Sequence, residues 1–353
     1  MAEAAGTRVG AAALEAFIAR AFVAVGMPAP DAQSVAELMT RADVNGSDGH
    51  GVFRLPQYIR RIKAGGVNLT PDIRVVREEA GMALVDGDNG QGHLVMRHAA
   101  KVAMDKAERS GAAWVGVRRG NHAGPASLYA SMPLERDMIG LYLAVGNANH
   151  MPPWGGIELL LSTNPVAIAV PALEEAPVVM DMATTVAAYG KVKTKAQRGE
   201  VMPEGWMIDR QGRPLTDPKR ADEGLLLPIG EYKGYALALM FGLLAGTLNG
   251  AAMGRDVVDF NKDDATPTNT GQAICALRLS AFGDVDAFRR RVDELVRSLR
   301  ASPTLPGVDR VRIPGEGSKA ARADRLANGV PLPSALRAAL DRLADELKVA
   351  PVA

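Results

Sequence analysis

The spacing of apolar and polar positions changes character twice along the chain. Leu14, Phe17, Ile18, Ala21, Phe22 and Val25 recur at helical spacing, which predicts a first helix stopped by Gly26 and Pro28. Asp31 is placed to cap a second helix, with Val35, Leu38, Met39 and Ala42 on its buried face. After a glycine-rich stretch, Leu55, Tyr58, Ile59 and Ile62 predict a third helix that ends at Gly65-Gly66. From residue 73 onward strands alternate with helices. Strands are expected over 82–86, 113–117 and 139–145, with helices over 92–109 and near 126–131. The runs 166–170 and 177–181 read as a strand pair joined through Pro171 and Glu174-Glu175, and residues 202–218 as an ordered, turn-rich loop. Residues 233–248 predict a long apolar helix, with Leu237, Leu239, Met240, Leu243 and Leu244 assigned to the core. Residues 286–300 and 334–349 predict amphipathic helices. A helical start, a β/α middle and a helical end predict an α/β fold with the terminal helices packed outside the sheet.

Composition narrows the function class. The chain has 353 residues, with 41 basic and 40 acidic side chains and a net charge of +1, which gives no electrostatic case for nucleic acid. The single cysteine, Cys275, lies in an apolar run and is read as a buried structural thiol, consistent with a reducing compartment. Residues 1–10 carry an acid and lack the apolar segment of a signal peptide, and no apolar run approaches the roughly 18–20 residues that span a bilayer. A cytoplasmic protein without membrane contact is the expectation.

The candidate chemistry lies in two histidine motifs. Asn45-Gly46-Ser47-Asp48-Gly49-His50-Gly51-Val52-Phe53-Arg54 carries one, and Arg119-Gly120-Asn121-His122-Ala123-Gly124 carries the other. Histidine exchanges protons near neutral pH, and arginine holds a carboxylate bidentately. His50 and Arg54 share one face if their segment is helical. His122 follows a predicted strand end, where α/β sheets place ligands. A proton carrier beside a carboxylate clamp suits a 2-hydroxy or 2-oxo acid. Taken alone, each histidine is equally compatible with a solvated turn. His150 either lines the same cleft or solvates a turn, and His93 and His98 are expected at the surface or in a structural role. Asp181 suits a ribose hydroxyl, a histidine partner or a helix cap. Lys191 and Lys233 stand beside Gly190 and Gly234, which suits close approach to a charged ligand.

Several chemistries are excluded by missing motifs. No G-x-G-x-x-G dinucleotide fingerprint, P-loop, C-x-x-C or G-x-S-x-G elbow occurs, and five scattered histidines offer no zinc-ligand spacing. Gly87-Asp88-Asn89-Gly90-Gln91-Gly92 has the wrong glycine spacing for a dinucleotide loop and reads as a flexible strand-to-helix turn.

Together, HGVFRLPQYIRRIKAG at 50–65, GNHAG at 120–124, PWGG at 153–156, STNPVAIAVP at 162–171, VMDMATT at 179–185, YGKV at 189–192, MPEGWMIDRQGRPLTDP at 202–218, YKGYALAL at 232–239 and IPGE at 313–316 resemble the type-2 malate/L-lactate dehydrogenase family. That family also includes L-sulfolactate and ureidoglycolate dehydrogenases, diketogulonate reductase and Δ1-piperideine-2-carboxylate reductases. The resemblance implies a non-Rossmann, L-sulfolactate dehydrogenase-like fold that binds NAD or NADP, and a homodimer. It implies a helical lobe for substrate and dimer contacts, residues 1–75 plus 285–353, and an NAD(P)-binding β/α lobe, residues 76–284. His122 matches the acid/base, His50 its neighbour at nicotinamide and substrate, and Arg54 the carboxylate clamp. Ser47, Asp48 and Asn164 fall to the substrate. Asn121, Gly146, Asn147, Asp181, Met182 and Ala183 fall to the cofactor, as do Lys191, Lys233, Gly234, Pro314, Gly315 and Glu316.

Four positions depart from the family pattern: Gly49 replaces a serine, Ala123 an aromatic, Tyr232 a histidine and Gly242 an acid. Ser47 or Asp48 is a candidate to replace the lost hydroxyl, and Ala123 leaves a roomier pocket. The implied reaction is hydride transfer at C2 of a small 2-hydroxy or 2-oxo acid. A reductase of cyclic ketimines and a silent binding protein are the rival readings.

Overall fold

A computed structural model describes residues 7–353, with residues 197 and 198 described in backbone only; residues 1–6 of the stretch read above for a signal peptide lie outside it. Strand β1 (Thr7–Val9) leads into helices α1 (Ala11–Ala24), α2 (Ala29–Val44) and α3 (Leu55–Lys63). The middle of the chain runs β2 (Arg74–Glu78), β3 (Met82–Gly90), α4 (Gly92–Ser110), β4 (Ala112–Gly120), α5 (Ser127–Ala130), β5 (Met138–Ala144), β6 (Val166–Val170) and β7 (Val178–Met182). It continues through α6 (Tyr189–Arg198), β8 (Met207–Ile208), β9 (Leu225–Leu226), α7 (Tyr232–Ala245) and β10 (Gln272–Arg278). The chain closes with α8 (Val285–Arg300), α9 (Glu316–Asn328), β11 (Val330–Leu332) and α10 (Ser334–Leu347).

The N-terminal periodicity becomes packing directly. Leu14, Phe17, Ile18, Ala21 and Phe22 of α1 are fully buried, as are Val35, Leu38, Met39 and Ala42 of α2. Asp31 does not cap α2: Pro28 holds that position with no side-chain bond, and Asp31 lies in the first turn, where its charge suits the helix dipole. One apolar core unites α1, α2 and α3 with Phe260, β11 and α10, and β1 pairs with β11 beside it. Neither short strand is visible in the hydropathy pattern.

A second core lies on the mixed seven-stranded sheet, ordered β2-β3-β4-β10-β5-β6-β7. Only β3 and β4 run parallel. Val95, Met96, Ala99, Ala100, Ala103 and Ala107 of α4 are fully buried, and the alanines let this helix approach the sheet closely. The central strand β10 pairs antiparallel with β4 on one side and β5 on the other. Its Cys275 is half-buried, and burial pushes the thiol pKa up. Helix α8 docks on the β6–β7 turn, where Asp293 accepts the backbone N–H groups of Leu173, Glu174 and Glu175.

Helix α7 corrects the expectation for its leucines. Ala238, Gly242 and Ala245 face inward, while Leu237, Met240, Leu243 and Leu244 are exposed, as is Leu248 in the turn that follows, at 65%. Small residues permit close packing on the inner side, and the bulky apolar side chains are left outside. Among the described residues no helix is long and apolar enough to cross a membrane.

Candidate active site

The strand directions gather the site. Strands β3, β4, β5 and β7 end, and β6 and β10 begin, at the same edge of the sheet. A cleft there is lined by His122 after β4, by Gly146, Asn147 and His150 after β5, by Thr163 and Pro165 before β6, and by Gln272 of β10. His50 and Arg54 reach it from the helical side, and Tyr189 and Phe260 from two further segments.

Each histidine arrives by a constrained backbone. At the end of β4, Arg119 adopts φ +53° and is held by Asp86 and Asp88 at 3.1 and 3.0 Å. Asn121 then anchors the loop: its Nδ2 donates to Asn89 O, Asn89 Oδ1 and Gly90 O at 2.9–3.0 Å. The glycine-rich segment expected to be a flexible turn is therefore ordered, with β3 running through to Gly90. His50 lies in a turn rather than a helix, and Arg54 ends a 3-10 turn at Val52–Arg54, so helical spacing is not what unites them. The buried Asp43 carboxylate accepts Val52 N–H at 2.8 Å, and Gly51 is packed so tightly on it that a Cβ would stand 2.0 Å from Oδ1.

The two imidazoles stack with centroids 5.7 Å apart and planes 9° apart, and Phe260 stacks on the far side of His122 at 5.3 Å. Tyr58 Oη stands 2.6 Å from His122 Nδ1, and Gly124 N–H points to the same nitrogen at 3.4 Å. Nε2 is thereby left as the ring nitrogen without a protein partner among the described residues. Burial, then the positive charge of Arg54, hold the His122 pKa well below the ordinary 6.5. The same two causes bring His50 down to about 4. Both rings are neutral at neutral pH.

Arg54 donates from Nε to Gly49 O at 2.9 Å and from Nη1 to Gln57 Oε1 at 2.8 Å. No carboxylate pairs with it among the described residues. A half-buried guanidinium with only neutral acceptors is electrostatically unfinished and suits an anionic partner such as a carboxylate.

The structure does not bring every candidate residue to this cleft. Asp48 turns away and pairs with Arg325, and Ser47 does not line the cleft. Gly49 has open space around its Cβ position, so nothing replaces the absent hydroxyl. Asn164 is fully buried behind the wall, accepting Gly146 N–H at 3.1 Å and donating to Ala238 O at 2.8 Å. Gly242 cannot be an acid here without rearrangement, because a Cβ would meet Met253 at 2.6 Å and Asn164 Nδ2 at 3.0 Å.

A second group of candidates collects at the β7 edge. Asp181 and Met182 end β7 and Ala183 follows it, Asp181 accepts Ser127 N–H at 2.9 Å, and Pro314 O accepts Val179 N–H at 3.2 Å. Gly315, with φ +96°, packs on Val179, and Glu316 is paired with Arg300 at 2.7 Å. Thr184 then accepts Ile229 N–H at 2.9 Å, which brings Lys233 and the buried Gly234 near this segment. Lys191 and Lys233 are both exposed.

Other site residues escaped the sequence reading. Tyr58 and Ile59 look alike as buried positions of an apolar stripe, yet Tyr58 holds His122. His93, expected at the surface or in a structural role, is fully buried edge-on against Tyr58, and burial lowers it to about 3. Fully buried Arg61 donates to Asp263 O and Thr266 O and lies 5.0 Å over Phe260, fixing the loop that carries this ring to His122. Tyr189 stacks on His150 at 3.9 Å. These are long-range contacts with no local sequence signature.

Comparison with known proteins places this geometry. A family model described as malate/L-lactate dehydrogenase matches residues 9–341. The chain is 35% identical over 327 residues to the malate dehydrogenase of Pyrococcus abyssi, covering 90% of this chain and 89% of that protein. It is 36% identical to the L-sulfolactate dehydrogenase of Methanothermobacter thermautotrophicus, covering 92% and 93%. The solved structure of Δ1-piperideine-2-carboxylate reductase from Pseudomonas syringae is similar with a TM-score of 0.85 at 30% identity, covering 97% of this chain and 99% of that one.

Proposed function

The chain belongs to the malate/L-lactate dehydrogenase family and is an oxidoreductase, and from that premise we propose that it moves a hydride between a nicotinamide dinucleotide, NAD or NADP, and C2 of a small 2-hydroxy or 2-oxo carboxylic acid. The observation that carries this reading is the meeting in one cleft of His122, with a free Nε2, and Arg54, a cation without a carboxylate.

The cleft suits a flat heteroaromatic amide. Ala144, Gly146, Ala148, Pro165, Ala188 and Gly190 leave room, Asn147 and Thr163 add polar groups, and a Cβ on Gly146 would stand 2.1 Å from Ser162 Oγ. These residues would hold the nicotinamide, and the β7 edge with Pro314 to Glu316 would hold the rest in a non-Rossmann manner. The dinucleotide, when bound, supplies or removes the hydride.

The protein supplies geometry and a proton. Arg54 grips the substrate carboxylate and fixes the reacting carbon. With its proton on Nδ1, donated to Tyr58 Oη at 2.6 Å in preference to the long 3.4 Å approach of Gly124 N–H, neutral His122 can accept the C2 hydroxyl proton at Nε2 during oxidation. During reduction it must carry that proton. The bound carboxylate cancels the Arg54 charge that lowers its pKa, so substrate binding raises its proton affinity. His50 stacks on His122 and either shares the proton path or steadies substrate and cofactor. Arg54→Ala is expected to raise KM by about tenfold or more, the loss of a charge-assisted pair, with a smaller effect on kcat. An unchanged KM would refute the clamp.

Residues 1–75 plus 285–353 then serve as the substrate and dimer lobe, and residues 76–284 as the cofactor lobe, of a cytoplasmic homodimer. The exposed apolar face of α7, with Met240 at 52% and Leu248 in the following turn at 65%, extends the expected dimer contact onto the cofactor lobe, because contiguous apolar faces of this kind are normally covered. Sedimentation equilibrium should give twice the chain mass, and Leu243→Glu should shift it toward one; a monomeric parent would reject the dimer.

The direct test mixes the protein with NADH or NADPH and a panel of 2-oxo acids and cyclic ketimines, following nicotinamide absorbance. Oxidation with 2-oxo acids supports the proposal. Oxidation with ketimines alone would replace it with imine reduction, and no oxidation with any partner would overturn it.

A further inference from the structure

Helix α9 has no apolar face to hold it. It buries none of its residues, and its one large apolar side chain, Leu326, is 57% exposed. Polar and main-chain contacts at its two ends fix it instead. At the first end Gly315 caps the helix and packs on Val179 of β7, Pro314 O accepts Val179 N–H, and Glu316 pairs with Arg300 and Arg310. This is the stretch to which the dinucleotide is assigned above. At the other end Arg325 reaches the turn that carries His50. It donates to Asp43 O at 2.5 Å and pairs with Asp48, while Arg322 donates to Asn45 Oδ1 at 3.3 Å and Ala321 packs against Gly46. Arg325 thus sits at the C-terminus of α2, where free carbonyls and the negative end of the helix dipole favour a cation. Asp48 is 66% exposed, so the ion pair by itself is a weak anchor, and the carbonyl bond matters more.

Two short paths lead from Arg325 to the arginine clamp. Asp43 takes Arg325 at its carbonyl and Val52 N–H at its carboxylate, and Val52 opens the 3-10 turn that ends at Arg54. Gly51 packs on Asp43 with no room for a Cβ, so a shift of Asp43 shifts the turn. Asp48 precedes Gly49, whose carbonyl accepts Arg54 Nε at 2.9 Å. A helix of 13 residues rises about 20 Å, which makes α9 a strut from the β7 edge to the His50 turn. Resting on the dinucleotide reading above, we propose that Arg325 is a positioning residue: through it α9 links Pro314–Glu316 to the His50–Arg54 turn, so that a seated dinucleotide orders the carboxylate clamp before substrate arrives. A ligand that fixes the first end of α9 removes freedom from the whole helix, and the turn at the far end then loses less on ordering. A helix with so little buried apolar contact is the kind of element that responds in this way.

The test is amide hydrogen exchange of the full chain, read by mass spectrometry, with and without saturating ADP-ribose. This probe is the dinucleotide without its nicotinamide, so an effect on the His50 turn does not come from a ring placed beside it. In the parent, ADP-ribose should slow exchange at 313–318 and also at 46–54, the latter by about fivefold, the lower range of coupling between sites. In Arg325→Gln and in the milder Asp48→Asn, protection at 313–318 should remain and protection at 46–54 should largely vanish. Arg325→Lys, which keeps a cation on the α2 carbonyls, should retain part of it. A merely structural arginine would speed exchange at 46–54 with and without ADP-ribose alike and leave their ratio in place. No protection at 46–54 in the parent while 313–318 is protected, or full protection there in the folded Gln and Asn variants, overturns the role of Arg325 and leaves the reaction class standing. So does protection at 46–54 by NADH or NADPH but not by ADP-ribose, which would assign the effect to the nicotinamide. No protection anywhere with ADP-ribose, NADH or NADPH overturns the dinucleotide reading and this inference with it.

Discussion

His122→Ala is expected to lower kcat for 2-oxo acid reduction by about a hundredfold or more, the range typical for losing a positioned general acid. The ring is held by Tyr58 Oη at Nδ1 and packed between His50 and Phe260, so no neighbour can swing in to replace it. The fold should survive, because His122 faces the cleft and alanine leaves a gap open to solvent. Melting temperature and dinucleotide binding would then stay near parental values while turnover collapses. Near-normal turnover would remove His122 from the mechanism. The pH profile gives a second check. With its pKa held well below 6.5, the resting ring is already deprotonated at neutral pH. In the oxidative direction kcat/KM should therefore remain level as pH falls through 6.5, where an unperturbed histidine would begin to lose its base form. An inflection at 6.5 would contradict that depression.

Gly92→Ala is expected to damage stability and activity together. Gly92 opens α4 against the loop that carries His122, and a Cβ there would stand 2.0 Å from Asn121 O and 2.6 Å from the His122 carbonyl. Those atoms are backbone, and Asn121 is pinned by three hydrogen bonds to the end of β3, so the loop cannot yield cheaply. Overpacking of this kind costs about 1–3 kcal/mol. The displacement falls on the His122 ring, so if that ring carries the proton as proposed, kcat should drop by about tenfold or more even at temperatures where the variant is folded, as close placement matters to proton transfer. Thermal melts with steady-state rates decide it. A parental melting temperature with parental kcat would mean that the contact is relieved elsewhere.

How much of this was legible beforehand differs by element. The faces of α1, α2 and α3 were readable because a helix buried on one side repeats its apolar positions locally. The His50 and His122 motifs were readable as chemistry because histidine, arginine and clustered glycine are costly to place without a purpose. The strand β10 was not readable as the sheet's centre. Its five apolar residues are too short to separate a strand from any buried run, and its neighbours β4 and β5 lie far away in the chain. The α7 leucines were misassigned to the core because hydropathy reports apolar character but not which apolar face is covered within one chain.

The same division runs through the site. By itself the sequence determined the periodic faces of the N-terminal helices, the two histidine loops and the nearby arginine, all of which are local properties of residue type and spacing. Only the tertiary structure decided that His50 and His122 stack, that Tyr58 and Phe260 hold the ring, and that Asn164 and Asp48 serve the scaffold. Those outcomes depend on contacts between segments tens to hundreds of residues apart, and on which charges are left without partners once the chain has packed. Neither quantity is a property of any stretch of sequence taken alone.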